Sequence, residues 1–262
     1  MPRPFLFGTN FKMNQTPAES ARFYEELTRS VEPPPGVGLF VIPPFTSLAA
    51  VMDRRPPGGG GPWVGAQNMH WESEGAYTGE ISAPMLLALG VDLVLLGHAE
   101  RRGHGQETDE TLNKKLLAAA AARLRVLFCV GETAAEKGYG VGPETVARQL
   151  KIGLHGLDEE FLPRLQIAYE PVWSIGAGGT PAAPGDVAPI AAHLRATLAA
   201  RFGPAGSDVP ILYGGSVTPA NAAGFVRLPD VDGLFVGRAA WTVDGYRDVL
   251  AAALVARVAS RR

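Results

Sequence analysis

The stretch Leu165-Gln166-Ile167-Ala168-Tyr169-Glu170-Pro171-Val172-Trp173-Ser174-Ile175-Gly176 decides the fold. Its first five residues form an apolar run, as expected of a strand covered on both faces, and such strands belong to parallel sheets flanked by helices. A carboxylate, a proline and the glycine-rich segment Ile175-Gly176-Ala177-Gly178-Gly179 end the run. Glu170 therefore stands at the mouth of a strand, beside a loop able to close over it.

The same unit recurs along the chain. Apolar runs of this kind are Phe5-Leu6-Phe7, Leu39-Phe40-Val41-Ile42, Trp63-Val64-Gly65-Ala66, Leu93-Val94-Leu95-Leu96, Val126-Leu127-Phe128-Cys129-Val130, Ile167-Ala168-Tyr169, Ile211-Leu212-Tyr213 and Leu234-Phe235-Val236. Most are separated by Ala-, Leu- and Arg-rich segments long enough for a crossover helix. Thr16-Pro17-Ala18-Glu19 offers a helix start, with a capping hydroxyl, a proline in the first turn and a carboxylate at the third position. Thr108-Asp109-Glu110 reads as another. Eight strand–helix units in 262 residues predict an α/β chain folded as a single (β/α)₈ barrel, one domain over residues 1–262. Pro56-Pro57-Gly58-Gly59-Gly60-Gly61-Pro62 falls between an expected helix and the third strand, so it reads as a surface loop and not a linker.

A formal charge of −2 gives no global attraction to nucleic acid or anionic membranes, so an anionic ligand must be held by local cations and backbone N–H groups. One cysteine, Cys129, allows no internal disulfide, and the short apolar run after Met1-Pro2-Arg3-Pro4 is not a secretory leader. No apolar run is long enough to span a bilayer. A cytoplasmic location is the expectation.

Barrels of this kind carry their chemistry where the strands end. The polar residues there are Asn10 and Lys12 after the first run, His98 and Glu100 after the fourth, Glu132 after the fifth and Glu170 after the sixth. Gly214-Gly215-Ser216 follow the seventh and Gly237-Arg238 the eighth. Taken singly each has an ordinary explanation: a glutamate ending a strand is usually solvated, and glycine pairs mark turns anywhere. Together they supply a base, a hydrogen-bond donor, a cation and two glycine turns on one rim, which suits proton abstraction beside the carbonyl of a phosphorylated substrate. Glu170 would take the proton, His98 would donate to the enediolate oxygen and Lys12 would face the developing charge. The phosphate would lie on backbone N–H groups around Gly215, Ser216, Gly237 and Arg238, with Gly176 joining from the closed loop. No metal or organic cofactor is called for, because the carbonyl already acidifies the neighbouring proton. His70, His104, His155, His193, Cys129 and Glu132 keep structural readings, and Trp241 and Tyr246 read as packing or interface residues.

The chain resembles the triosephosphate isomerase family over nearly its whole length. The resemblance rests on Asn10-Phe11-Lys12-Met13-Asn14, Gly65-Ala66-Gln67-Asn68, Gly75-Ala76-Tyr77-Thr78-Gly79-Glu80, Gly97-His98-Ala99-Glu100-Arg101-Arg102, Cys129-Val130-Gly131-Glu132, Ala168-Tyr169-Glu170-Pro171-Val172-Trp173 and Tyr213-Gly214-Gly215-Ser216-Val217. It implies Glu170 as base, His98 as electrophile, Lys12 as electrostatic stabiliser, Asn10 as a positioning residue and Glu100 as a supporting acid. It also implies a lid over residues 172–180; the carboxylate base, the histidine and the closing loop are properties already established for that family. Such enzymes are usually homodimers, with Gly75 to Glu80 inserting beside the neighbouring subunit's Asn10 and Lys12.

Departures from the family pattern make the chain specific. The family normally has tryptophan at Phe11, serine at Ala99, lysine at Gly179 and a second glycine at Arg238. Gly179 is expected to loosen the trailing hinge of the lid, while a side chain at Arg238 must point away from the phosphate or add a cation to it. The segments around Arg238, Val41-Ile42-Pro43-Pro44-Phe45-Thr46 and Gln67-Asn68-Met69-His70-Trp71 resemble the branch acting in tetritol catabolism, the L-erythrulose-1-phosphate isomerases. That resemblance implies conversion of L-erythrulose 1-phosphate to D-erythrulose 4-phosphate, with triosephosphate isomerisation as the alternative and a non-catalytic ligand-binding barrel as a remote one.

Overall fold

All eight runs close on one another in the computed structural model, which describes residues 3–176 and 178–260. The strands are β1 (Phe5–Asn10), β2 (Val37–Ile42), β3 (Trp63–Ala66), β4 (Leu93–Leu96), β5 (Arg125–Val130), β6 (Leu165–Tyr169), β7 (Ile211–Tyr213) and β8 (Gly233–Val236). They pair in chain order, all parallel, and β8 pairs back onto β1, with Leu6 opposite Gly233 and Thr9 opposite Val236. The fold is a (β/α)₈ barrel.

The connecting helices are α1 (Pro17–Ser30), α2 (Leu48–Met52), α3 (Ala83–Ala88), α4 (Ala99–Gly103), α5 (Asp109–Ala121), α6 (Ala134–Gly138), α7 (Gly142–Gly153), α8 (Pro184–Asp208), α9 (Pro219–Val226) and α10 (Val243–Ser260). The expected starts are where the sequence put them: Thr16 and Glu19 form a reciprocal capping box on α1, and Thr108 accepts from Thr111 N at the start of α5. Long α8 is broken at Gly203, whose φ of +58° precedes Pro204. The 56–62 segment is a loop between α2 and β3. No helix among the described residues is long and apolar enough to cross a membrane.

Side chains alternate across each strand, so the barrel wall has two apolar faces. Leu6, Phe40, Ile42, Leu93, Leu95, Leu127, Cys129, Ala168, Leu212 and Phe235 form one buried cluster, the packed lumen. Their neighbours in sequence, such as Phe5, Phe7, Val41, Val94, Phe128 and Ile167, pack outward under the helices. Burial on both faces is why the runs read as continuously apolar. The inward series on β1 passes from Leu6 through Gly8 to Asn10, and that on β6 from Gln166 through Ala168 to Glu170, so polar groups fall at the ends of a filled barrel.

Candidate active site

Asn10, Lys12, His98, Glu100, Glu170, Gly176, Gly214, Gly215, Ser216, Gly237 and Arg238 all line one cleft of 640 Å³ at the C-terminal ends of the strands. The structure thus gathers every site residue singled out in the sequence. Ala177, inside the stretch 172–180 read as a lid, lies outside the described residues.

Glu170 is 3% exposed. Its Oε2 accepts from the backbone N–H of Ala99 at 3.0 Å, and its Oε1 lies 3.4 Å from His98 Nε2. Ala99 thus offers its main chain to the carboxylate where a serine hydroxyl would otherwise stand. Closeness to β5 fixes the backbone here: a Cβ on Gly131 would come within 1.9 Å of the Glu170 carbonyl oxygen, so position 131 admits only glycine. His98 caps α4, with Nδ1 accepting from Glu100 N at 3.2 Å. An accepting Nδ1 carries no proton, so the N–H of the neutral ring is at Nε2, the nitrogen that faces Glu170. Arg102 holds this turn down, donating to the Gly97 carbonyl and pairing with Asp109 at 2.6 Å.

Lys12 takes the left-handed conformation, φ +53°, which a side-chain-bearing residue enters only under constraint. The constraint is visible. Asn10 Oδ1 accepts from Lys12 N at 2.8 Å, and Gln67 Nε2 donates to Asn10 Oδ1 at 3.0 Å and to the Lys12 carbonyl at 2.7 Å. The ammonium lands 2.6 Å from Glu100 Oε1.

Across the cleft, Ser216 Oγ donates to the Ser174 carbonyl at 2.8 Å, and Asn221 Nδ2 donates to the Ser216 carbonyl at 2.8 Å. Gly237 opens a short 3₁₀ turn beginning at Arg238. Arg238 is exposed, and its guanidinium has no hydrogen-bond or ion-pair partner among the described residues. The turn after β6 is anchored on Glu132, 2% exposed, which accepts from Trp173 Nε1 at 2.7 Å and Tyr169 OH at 3.0 Å. Lys137 lies over the Trp173 ring, 3.3 Å from its centroid. Gly179 packs tightly: its Cβ would stand 2.6 Å from the Ser174 carbonyl carbon. A side chain at this position would meet backbone, so glycine is what the close approach to Ser174 admits.

Two sets of contacts escaped the sequence reading. Gln67 sits in a quoted motif, but its bonds to β1 come from the neighbouring strand and leave no local signal. Trp241, read as packing, lines the cleft and donates from Nε1 to the Asn10 carbonyl at 2.8 Å. Cys129 is fully buried in the lumen, as its core reading expected, and lies beside Glu170; burial followed by that carboxylate's charge raises its pKa well above the usual thiol value.

Comparison with known proteins agrees with this geometry. The triosephosphate isomerase family model matches residues 5–253. An L-erythrulose-1-phosphate isomerase from Rhizobium etli is 47% identical over 247 residues, 93% of this chain and 90% of that protein. One of the same name from Mesorhizobium japonicum is 46% identical over 96% of this chain and 98% of its own. A triosephosphate isomerase from Carboxydothermus hydrogenoformans is 43% identical over 95% and 98%. An eight-stranded barrel with these groups at its rim, matched from β1 into α10, is a sugar-phosphate isomerase: the chain belongs to the triosephosphate isomerase family.

Proposed function

We propose that the enzyme interconverts L-erythrulose 1-phosphate and D-erythrulose 4-phosphate, as one continuous barrel domain. The observation that carries the chemistry is the buried pair of Glu170 and His98, a carboxylate and an imidazole N–H 3.4 Å apart at the mouth of the cleft. Glu170 removes the proton from C3 of the substrate. The C2 carbonyl oxygen, gaining charge, accepts from His98 Nε2–H and faces the Lys12 ammonium, with Asn10 holding the Lys12 turn. The resulting 2,3-enediol is reprotonated at C2 by Glu170 while the hydroxyl proton passes from O3 to O2, so the carbonyl ends at C3 and no atom is gained or lost. Phosphate binds the N–H groups at Gly215, Ser216 and Gly237, with Gly214 bringing the turn close, Gly176 approaching from the lid and Arg238 adding a cation. Glu100 holds the Lys12 ammonium between turnovers.

The names of the Rhizobium and Mesorhizobium relatives support the four-carbon substrate. The test is the order of kcat/KM. L-erythrulose 1-phosphate should exceed D-glyceraldehyde 3-phosphate, and the reverse order leaves triosephosphate isomerase as the activity. In the same assay Arg238→Gly should raise KM about tenfold, the loss of one charge-assisted bond; an unchanged KM removes Arg238 from the ligand.

A homodimer is part of this reading. Gly75 to Glu80 is exposed throughout, Tyr77 is 45% exposed within it, and Met13 and Met85 are 95% and 54% exposed. Apolar surface of this kind is suited to covering by a second copy. Light scattering should give twice the chain mass, and Tyr77→Asp should shift the protein to monomer with loss of turnover. A fully active monomer overturns the reading.

A further inference from the structure

The barrel has two mouths, and the isomerase cleft uses one. At the other, the N-terminal ends of the strands open into a second cavity of 760 Å³. The inward series accounts for its walls. Gln166 shares a face of β6 with Ala168 and Glu170, so an amide stands at the N-terminal mouth where a carboxylate stands at the C-terminal one. Arg125 holds the matching place on β5, beneath Leu127 and Cys129, Gly38 on β2 contributes no side chain, and Trp63 opens β3. The packed lumen lies between this cavity and the catalytic cleft.

Two polar groups here lack partners. Gln166 is 5% exposed, and its amide makes no hydrogen bond among the described residues but is open to the cavity, where a ligand can reach it. The Arg125 guanidinium lies over the Trp63 ring, 4.6 Å from its centroid, and also has no hydrogen-bond or ion-pair partner there. Burial, then the charge of Arg164, lowers its pKa below the usual guanidinium value. Most of the remaining wall is apolar, while Glu159, Glu160 and Asp208 stand exposed at the rim. Even with Arg164 beside Arg125, three rim carboxylates outnumber two guanidiniums and disfavour an anion. An apolar enclosure with a few convergent polar groups is the usual form of a small-molecule site, and this volume is in the usual range.

We propose that the N-terminal mouth of the barrel is a second binding site, for an uncharged planar ring carrying an amide-type edge. The ring lies among the apolar walls beside Trp63, its carbonyl oxygen accepts from Arg125, and its amide group pairs with Gln166, which both donates and accepts. The probe is 2-naphthamide, with 2-naphthoate as its charged counterpart, titrated into the full chain by ligand-observed NMR. Saturable binding of the amide is expected, with the naphthoate at least about tenfold weaker. Gln166→Leu, close in volume, should weaken the amide about tenfold with turnover unchanged, because a buried donor–acceptor pair is lost while the shape is kept. Gly38→Val, whose Cβ would stand 2.7 Å from the Leu6 side chain and so crowds the cavity wall without touching either polar group, should abolish binding and serves if Gln166→Leu does not fold. Saturating inorganic phosphate should not displace the probe. Absence of saturation, equal binding to Gln166→Leu and Gly38→Val, or displacement by phosphate each overturns the proposal.

Discussion

Glu170 cannot be moved by a methylene without losing contact with what positions it. Its Oε2 rests on the Ala99 N–H and its Oε1 faces His98 Nε2, while its backbone is pinned against Gly131. Glu170→Asp keeps the charge and withdraws the carboxylate by about 1 Å, a displacement that costs on the order of a hundredfold in rate when the reacting atoms must be in line. The expected result is a kcat at least about a hundredfold lower with KM little changed, since the phosphate contacts are elsewhere. Steady-state kinetics checks this, and turnover close to that of the parent would remove Glu170 from the role of base. That Glu170 stands at the mouth of a strand was legible in the sequence because an apolar run ends there and a proline and glycines follow. That the Ala99 main chain serves it was not, because a backbone donor carries no residue signature.

At the scale of elements, the strands were readable because their environment is uniform. A strand buried against lumen and helices needs apolar side chains on both faces, so eight such runs stood out. Cross-strand bonds were not readable: Gln67 leaves β3 to hold Asn10 and Lys12 on β1, a contact set by barrel closure rather than by spacing. The turn after β6 is built the same way, from four elements. Trp173 and Tyr169 follow or end β6, Glu132 follows β5, and Lys137 on α6 covers the indole while pairing with Asp186 on α8 at 2.9 Å. Trp173→Phe keeps the ring and deletes one donor to a carboxylate that is 2% exposed. A buried charged acceptor deprived of a donor costs about 1–3 kcal/mol, or a fall of a few degrees in Tm. Hydrogen exchange should quicken in the 3₁₀ turn Val172–Ser174 more than in β6. Equal protection in the variant and the parent would mean that Glu132 does not anchor this turn.

Across the whole molecule, four tyrosines tie the layers together from inside. Tyr24 on α1 donates to the Pro62 carbonyl before β3, Tyr169 on β6 to Glu132, and Tyr246 on α10 to the Phe7 carbonyl on β1, each at 3.0 Å. Tyr213 on β7 stacks on Phe225 of α9 with ring centroids 4.1 Å apart. Burial raises the pKa of all four, that of Tyr213 from 10.0 to about 12. The sign follows from which form the fold tolerates. The folded state favours the neutral phenol, so this stability is fully present below pH 10.0, the unfolded value, and is lost as pH rises through the folded value of about 12 for Tyr213. Unfolding free energy should therefore fall with pH above 10.0. Between pH 10.0 and about 12 the phenolate absorbance of Tyr169, Tyr213 and Tyr246 should grow only as the helical circular dichroism disappears, because burial keeps these phenols neutral in the fold over that range. Phenolates forming one by one with the dichroism intact would show that the lumen and the helical layer open separately, and would end the account of the barrel as one cooperative unit.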